Sequence, residues 1–173
     1  MTSTIGLVGC GRWGSLILRD LLALDCEVHV VARSPESIGR AAAGGARSIH
    51  RTVSGLAHAV PSLDGLVVAT TAGQHHSVVM DTLRLFGPSF PVFCEKPLAT
   101  SIQDAEEMSR AAKRLFVMDK WRYHPAIRRM SMARATGEFG DLININTRRV
   151  QPGNPHPDVS PPWTYLPHDL SIV

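Results

Sequence analysis

Cysteine is scarce in this chain, with three residues (Cys10, Cys26 and Cys94) in 173. An odd number, each in or beside an apolar segment and none at metal-ligand spacing from a histidine, argues against a disulfide framework and against a zinc site. The three read as buried thiols of a cytosolic protein, and no metal is expected. Long apolar runs are missing too: none approaches the roughly 20 residues that cross a bilayer. The N-terminus has no basic segment followed by an apolar one, so a secretory signal is not expected either. Charge of one sign is not in large excess. The net charge is +3, aromatics make up 6%, and no basic stripe with interleaved aromatics forms around pairs such as Arg128-Arg129 and Arg148-Arg149. Nucleic acid is therefore a poor candidate partner, whereas small anionic ligands, phosphates included, suit the mild basicity.

What is present suits a globular domain with a core, since 44% of residues are hydrophobic and 19% charged. Residues 4–8 form a short apolar run ending in glycines, as a buried parallel strand does. From Arg12 to Leu24, Trp13, Leu16, Ile17, Leu21 and Leu24 recur at helical spacing. Glu27–Ala32 and Asp64–Thr71 read as strands, with a helix over Pro35–Ala43 between them, closed by Gly44-Gly45. Ser77–Phe86 reads as a helix ending at Gly87-Pro88, and "PVFCEKP" as a strand running into a loop. Thr100–Leu115 is a further helix, with Ser101 its cap, and Phe116–Asp119 a last strand. This alternation predicts a doubly wound parallel sheet, a Rossmann-type α/β domain over residues 1–119. Beyond it the pattern changes. A helix is expected over Ala126–Ala135 and a strand of another sheet over Asp141–Val150. Residues 151–162, with five prolines in twelve positions, read as a loop, and "HDLSIV" as the opening turn of a helix.

The stretch "VGCGRWG" (8–14) holds a GxGxxG pattern after a predicted strand and at the start of a predicted helix. In that context Gly9 permits the tight turn, Gly11 lets backbone approach a pyrophosphate, and Gly14 allows close helix–strand packing. A merely tight strand–helix turn is the blander reading. The fingerprint also expects an acid about 20 residues on, to bind the adenosine ribose. Here Ala32-Arg33-Ser34 ends the second strand, while Glu27 lies at its other end and Glu36 in the next helix. A guanidinium and a hydroxyl suit a 2′-phosphate, which favours NADP, with NAD as the alternative.

Six motifs in order, "VGCGRWG" (8–14), "VATTAGQHHSVV" (68–79), "CEKPLATS" (94–101), "WRYHPAI" (121–127), "GEFGDLI" (137–143) and "PHDLSI" (167–172), resemble the Gfo/Idh/MocA oxidoreductases along nearly the whole chain. The resemblance implies a second α/β domain with a broad, mostly antiparallel sheet, beginning here near residue 120. It also implies an active site in the cleft between the domains. Gly9, Gly11, Arg12, Trp13 and Gly14 would line the pyrophosphate, and Thr70, Thr71 and His75 match a loop beside the cofactor, although Thr71 replaces a usual proline. Glu95 and Lys96 match a signature near the nicotinamide, Trp121 and Arg122 a segment bordering it, and His168 a histidine near the substrate. An imidazole titrating near pH 6.5 suits a general base, and a lysine cation suits an alkoxide-like oxygen. The blander readings are a helix-capping His168, a packing Trp121, solvated His156 and Asp158, and Glu106-Glu107 on an exposed helix face.

Two departures stand out. Many relatives carry an aspartate four residues before the histidine, where this chain has Thr164; Asp169, adjacent to His168, would not share its helix face. The chain also holds one strand of the second sheet, and an unpaired strand leaves its backbone groups unsatisfied. The expected function is hydride transfer between a nicotinamide and a sugar, sugar nucleotide or polyol carbon. The alternatives are a non-catalytic dinucleotide-binding regulator or one piece of a split enzyme. A homo-oligomer or a complementing second chain is the expected macromolecular partner, with no membrane and no nucleic acid.

Overall fold

The structure, a computed structural model, describes residues 2–148, 150 and 161–172. It divides into two compact units, Met1–Val117 and Met118–Val173. In the first unit, strands β1 (Thr4–Val8), β2 (Glu27–Val31), β3 (Ser48–His50), β4 (Gly65–Val68), β5 (Val92–Cys94) and β6 (Leu115–Val117) alternate with five helices. These are α1 (Arg12–Ala23), α2 (Pro35–Ala43), α3 (Val53–Ala59), α4 (His75–Phe86) and α5 (Ile102–Ala111). All pairings are parallel, and the order is β3-β2-β1-β4-β5-β6. This is the doubly wound Rossmann arrangement.

A parallel sheet of this kind must be covered on both faces, so its strands are apolar throughout rather than alternating. Every residue of β4 is buried. Helices α1 and α2 pack together on one side, and α3, α4 and α5 form a row on the other. Under that row Leu56, Leu66, Val68, Val79, Val92 and Met108 join one cluster, and Leu56, Val68, Val79, Val92 and Met108 in it have no exposed surface at all. The start of α2 follows from its cap: Ser34 Oγ accepts from the Ser37 N–H, and Pro35 occupies the first turn, where its missing N–H costs nothing. Ser101 caps α5 in the same way, through the Asp104 N–H, as its sequence suggests.

Several elements differ from the expectations. Strand β3 and helix α3 were not expected: three residues are too few to show a period, and α3 is a seven-residue helix containing Gly55. Helix α5 stops at Ala111 rather than Leu115, because Leu115 is drawn into β6, paired with Val92 of β5. Residues 141–148 and 150 contain no strand, contrary to the expectation for Asp141–Val150. Alternation supplies a face but no partner, and a strand without one leaves its backbone unbonded; Ile143 is 97% exposed.

The second unit instead has a short 3-10 turn (Lys120–Tyr123), helix α6 (Pro125–Ala135) and helix α7 (Pro161–Leu170). Helix α6 matches its expected span, and Gly137 follows it at φ 77. Helix α7 corrects two readings, for it begins inside the expected proline loop and places His168 in its last turn rather than at the opening of a helix. Proline is tolerated in a first turn, so Pro161-Pro162 can start it. The rest of that loop, with His156 and Asp158, and also Arg149, lies outside the described residues. Among the described residues no helix is long and apolar enough to cross a membrane.

Candidate functional site

A cleft of about 610 Å³ opens at the carboxyl edge of the sheet, where β1 and β4 lie side by side and the strand order reverses. Open α/β sheets place ligands at this switch point. One wall is the glycine loop, from Gly9 to Trp13; a second is the end of β2, from Ala32 to Ser34; a third follows β4, from Ala69 to Thr71. Arg12, Arg33, Ser34, Thr70 and Thr71, singled out from the sequence, all face this space.

The glycine loop has the shape its residues dictate. Gly9 has φ +94, and a Cβ there would lie 2.6 Å from the carbonyl oxygen of Ala69. Gly14 packs behind the loop, against the Gly9 backbone, and does not face the cleft. Gly11 has nothing within 4 Å of its would-be Cβ, so this part of the cradle is open to a ligand. Gly11 is also the N-cap of α1, and no side chain caps that helix, whereas α2, α3 and α5 are capped by Ser34, Thr52 and Ser101. Free N–H groups and the positive end of a twelve-residue helix therefore meet the cleft, which is an anion site by construction. The Thr70 hydroxyl is buried in the opposite wall with no hydrogen-bond partner. A dinucleotide fits these residues: its diphosphate would take the uncapped amides, and Thr70 would gain an acceptor.

Behind the cleft, side chains distant in sequence brace the loops. The Trp13 indole donates to Glu95 Oε1, and the Lys96 N–H donates to Glu95 Oε2 at 3.0 Å. Trp13 and Glu95 are 82 residues apart. Burial pushes the Glu95 carboxyl above the ordinary carboxylate range, while the Trp13 and Lys96 N–H groups pull it down. His75 is 1% exposed, with Nδ1 at 2.9 Å from Pro97 O and Nε2 at 3.2 Å from Thr70 O. A neutral imidazole has one N–H, so it bonds one of these carbonyls at a time. His75 therefore sits between the β4 and β5 loops, within reach of a carbonyl of each, and does not face the cleft. The Lys96-Pro97 peptide is cis. Burial pushes the Cys94 thiol up to about 12, helped by the Glu95 charge, and raises Cys10 as well. Both shifts disfavour the thiolate, the nucleophilic form of cysteine.

In the second unit Trp121 and Arg122 share the short 3-10 turn, where the Trp121 ring lies 5.5 Å from that of His124, with Lys120 Nζ over its face at 5.4 Å. Thr164 and His168 are both in α7.

The Glu95 brace makes a pH-dependent prediction. Trp13→Phe is expected to cost about 1–2 kcal/mol near pH 7, because it leaves a buried carboxylate oxygen without its donor. A carboxyl whose folded pKa is raised favours folding below its unfolded value of about 4.3, and that contribution is lost as pH rises through the folded pKa. Removing the indole raises the folded pKa further, so the penalty should shrink toward pH 4. Urea unfolding at pH 7.5 and 4.5 checks this, and a penalty equal at both would assign the effect to lost packing.

Some lining residues were not legible in the sequence. Gln74, just before α4, and Ser77, Val78 and Asp81 on it form a stripe that faces the cleft. Their helical spacing is visible in the sequence, but nothing local says which face is turned to a ligand. Arg51 and Ser37 were missed as well, and Arg51 follows the short strand that periodicity did not reveal.

Comparison with known proteins agrees with this geometry. Inositol 2-dehydrogenase 2 of Saccharopolyspora erythraea is 27% identical over 90% of this chain and 47% of its own length. D-apiose dehydrogenase of Paraburkholderia graminis is 30% identical over 78% of this chain and 36% of its own. This chain therefore spans less than half the length of those relatives. Among solved structures, myo-inositol dehydrogenase from Lactobacillus casei, in complex with NAD(H) and myo-inositol, superposes with a TM-score of 0.71 at 23% identity, covering 79% of this chain and 42% of that one. Residues 3–118 match a family model described as "Oxidoreductase family, NAD-binding Rossmann fold". With that match and the glycine cradle at the switch point, this chain belongs to the Gfo/Idh/MocA oxidoreductase family.

Proposed function

We propose that the chain carries the coenzyme-binding part of an NAD(P)-dependent oxidoreductase, with residues 1–119 as the dinucleotide domain and 120–173 as the start of a substrate domain. The observation that carries this reading is the uncapped N-terminus of α1 beside the open Gly11 position. The substrate class is a sugar, sugar nucleotide or polyol, which accords with relatives named inositol and apiose dehydrogenases. Gly9, Gly11, Arg12 and Trp13 surround the diphosphate, with Gly14 packed behind them; Thr70, Thr71 and His75 shape the adjoining loop; Glu95, Lys96, Trp121 and Arg122 serve the nicotinamide end. Arg33 and Ser34 take a 2′-phosphate, so NADP is preferred over NAD. When bound, the nicotinamide accepts the hydride that the substrate carbon loses. Lys96 holds the substrate oxygen as it gains alkoxide character, and His168 takes the hydroxyl proton.

The test is a fluorescence titration with NADPH and NADH, followed by turnover with a panel of polyols and sugar nucleotides. We expect binding of both, NADPH the tighter. Tighter NADH binding would reject the preference, and no binding of either at millimolar concentration would reject the reading. A second reading, a dinucleotide-binding protein without catalysis, is favoured by Thr164, which brings no negative charge where many relatives carry a carboxylate. Binding without turnover would select it, and turnover only on adding a second chain would indicate a split enzyme.

A further inference from the structure

The end of β3 brings a second cation to the adenosine end of the cleft. Strands β2 and β3 pair in parallel with Val31 opposite His50, and the Ala32 N–H donates to the His50 carbonyl at 2.9 Å. Arg33 and Arg51 therefore leave the sheet side by side at its carboxyl edge. Arg51 is fixed to the end of β2 by its Nη1, which donates to the Arg33 backbone carbonyl oxygen at 2.6 Å. That bond uses one of five guanidinium N–H groups and leaves four.

Both side chains bring a cation to the same edge of the cleft, where an anionic ligand would offset their mutual repulsion. The arginine ion pairs among the described residues belong to Arg19, Arg47, Arg84, Arg110 and Arg129, not to this pair. Both arginines face the cleft. A third donor stands with them. Ser37 Oγ lies 3.1 Å from Ser34 Oγ, and Ser37 lines the same cleft, where its rotating hydroxyl hydrogen can turn to a ligand. The acidic residue nearby, Glu36, does not line it; its carboxyl is held below the ordinary range by its own backbone N–H and by Ser34.

We infer that Arg51 is a specificity-determining residue that, with Arg33 and the Ser37 hydroxyl, forms a three-sided receptor for a phosphomonoester, the 2′-phosphate of NADP. This rests on the reading that the cleft holds a dinucleotide. It adds a cation from β3 that the fingerprint region does not contain. The hydrogen bond to the Arg33 carbonyl holds Arg51 in place before the ligand arrives, which spares part of the ordering cost of binding.

The experiment uses the full chain with Arg51→Gln and Arg51→Ala. Glutamine keeps a donor for the Arg33 carbonyl but carries no charge, so it separates anchoring of the strand from phosphate binding. Affinities for NADPH and NADH are measured by fluorescence titration, with adenosine 2′,5′-bisphosphate and 5′-AMP as competitors. The NADPH-over-NADH preference is expected to fall by about 10- to 100-fold in both variants, from the loss of one or two charge-assisted bonds. The preference for the bisphosphate over 5′-AMP should fall in parallel. Equal loss for both coenzymes would make Arg51 a strand anchor and overturn the inference. So would a change in preference below about twofold, with the dinucleotide reading left standing. Wild-type chain that binds neither coenzyme would overturn both together.

Discussion

Gly14→Ala is expected to abolish coenzyme binding and to lower stability by about 3 kcal/mol or more. A Cβ at Gly14 would lie 2.2 Å from the Gly9 carbonyl oxygen and 3.0 Å from the Gly9 carbonyl carbon. Both are backbone atoms, and Gly9 cannot give way. Its N–H donates to Val31 O at 2.9 Å, and its would-be Cβ already lies against Ala69. The methyl group can be admitted only by lifting α1 off β1, which breaks packing around Leu18, a residue with no exposed surface. Gly11→Ala is the informative contrast. Its position is open and its φ of −72° suits alanine, so folding should be unaffected or slightly improved by the stiffer unfolded chain. The methyl would nevertheless stand where a diphosphate approaches, and coenzyme affinity should fall. Denaturant unfolding and coenzyme titration on the two variants measure these effects separately. If Gly14→Ala unfolds at the wild-type midpoint, the close helix–strand contact is not what that glycine serves.

On the role proposed above for Lys96, Lys96→Met should change coenzyme affinity far less than kcat, which is expected to fall by about 10²–10³, the loss typical of removing one donor to a developing oxyanion. Methionine keeps the length and apolar body of the side chain and removes its charge, which also helps to hold the buried Glu95 carboxyl down. Lys96→Arg keeps the charge on a wider, planar group and should recover only part of the rate. Steady-state kinetics with a polyol or sugar substrate that the wild type turns over, alongside the coenzyme titration, separates the two effects. A Lys96→Met variant working near the wild-type rate would remove Lys96 from the chemistry, whatever the fate of the coenzyme site.

These predictions draw on two kinds of information. The glycine loop was legible because a strand, a tight turn and a helix are local events, each with its own period and punctuation. Residues 4–8, the helix from Arg12 and the Ser101 cap of α5 could all be read in place. The order of the motifs was equally legible, and with it the family. Strand formation is a different matter. A stretch such as 141–150 can alternate and still form no strand, because the partner that would satisfy its backbone is not written within it. Conversely, three residues at Ser48–His50 form one because β2 stands ready beside them.

By itself, then, the sequence determined the strand–helix alternation of the first unit, the anion-binding turn and the kind of chemistry its motifs resemble, since each is set by neighbours within a few residues. Only the tertiary structure decided that Trp13 would brace Glu95 across 82 positions, that His75 would sit between the β4 and β5 loops, and that Arg51 would stand over the Arg33 carbonyl. The reason is physical. Sheet order and register choose which distant side chains meet, and that choice is made by the packing of the whole domain rather than by any segment of it.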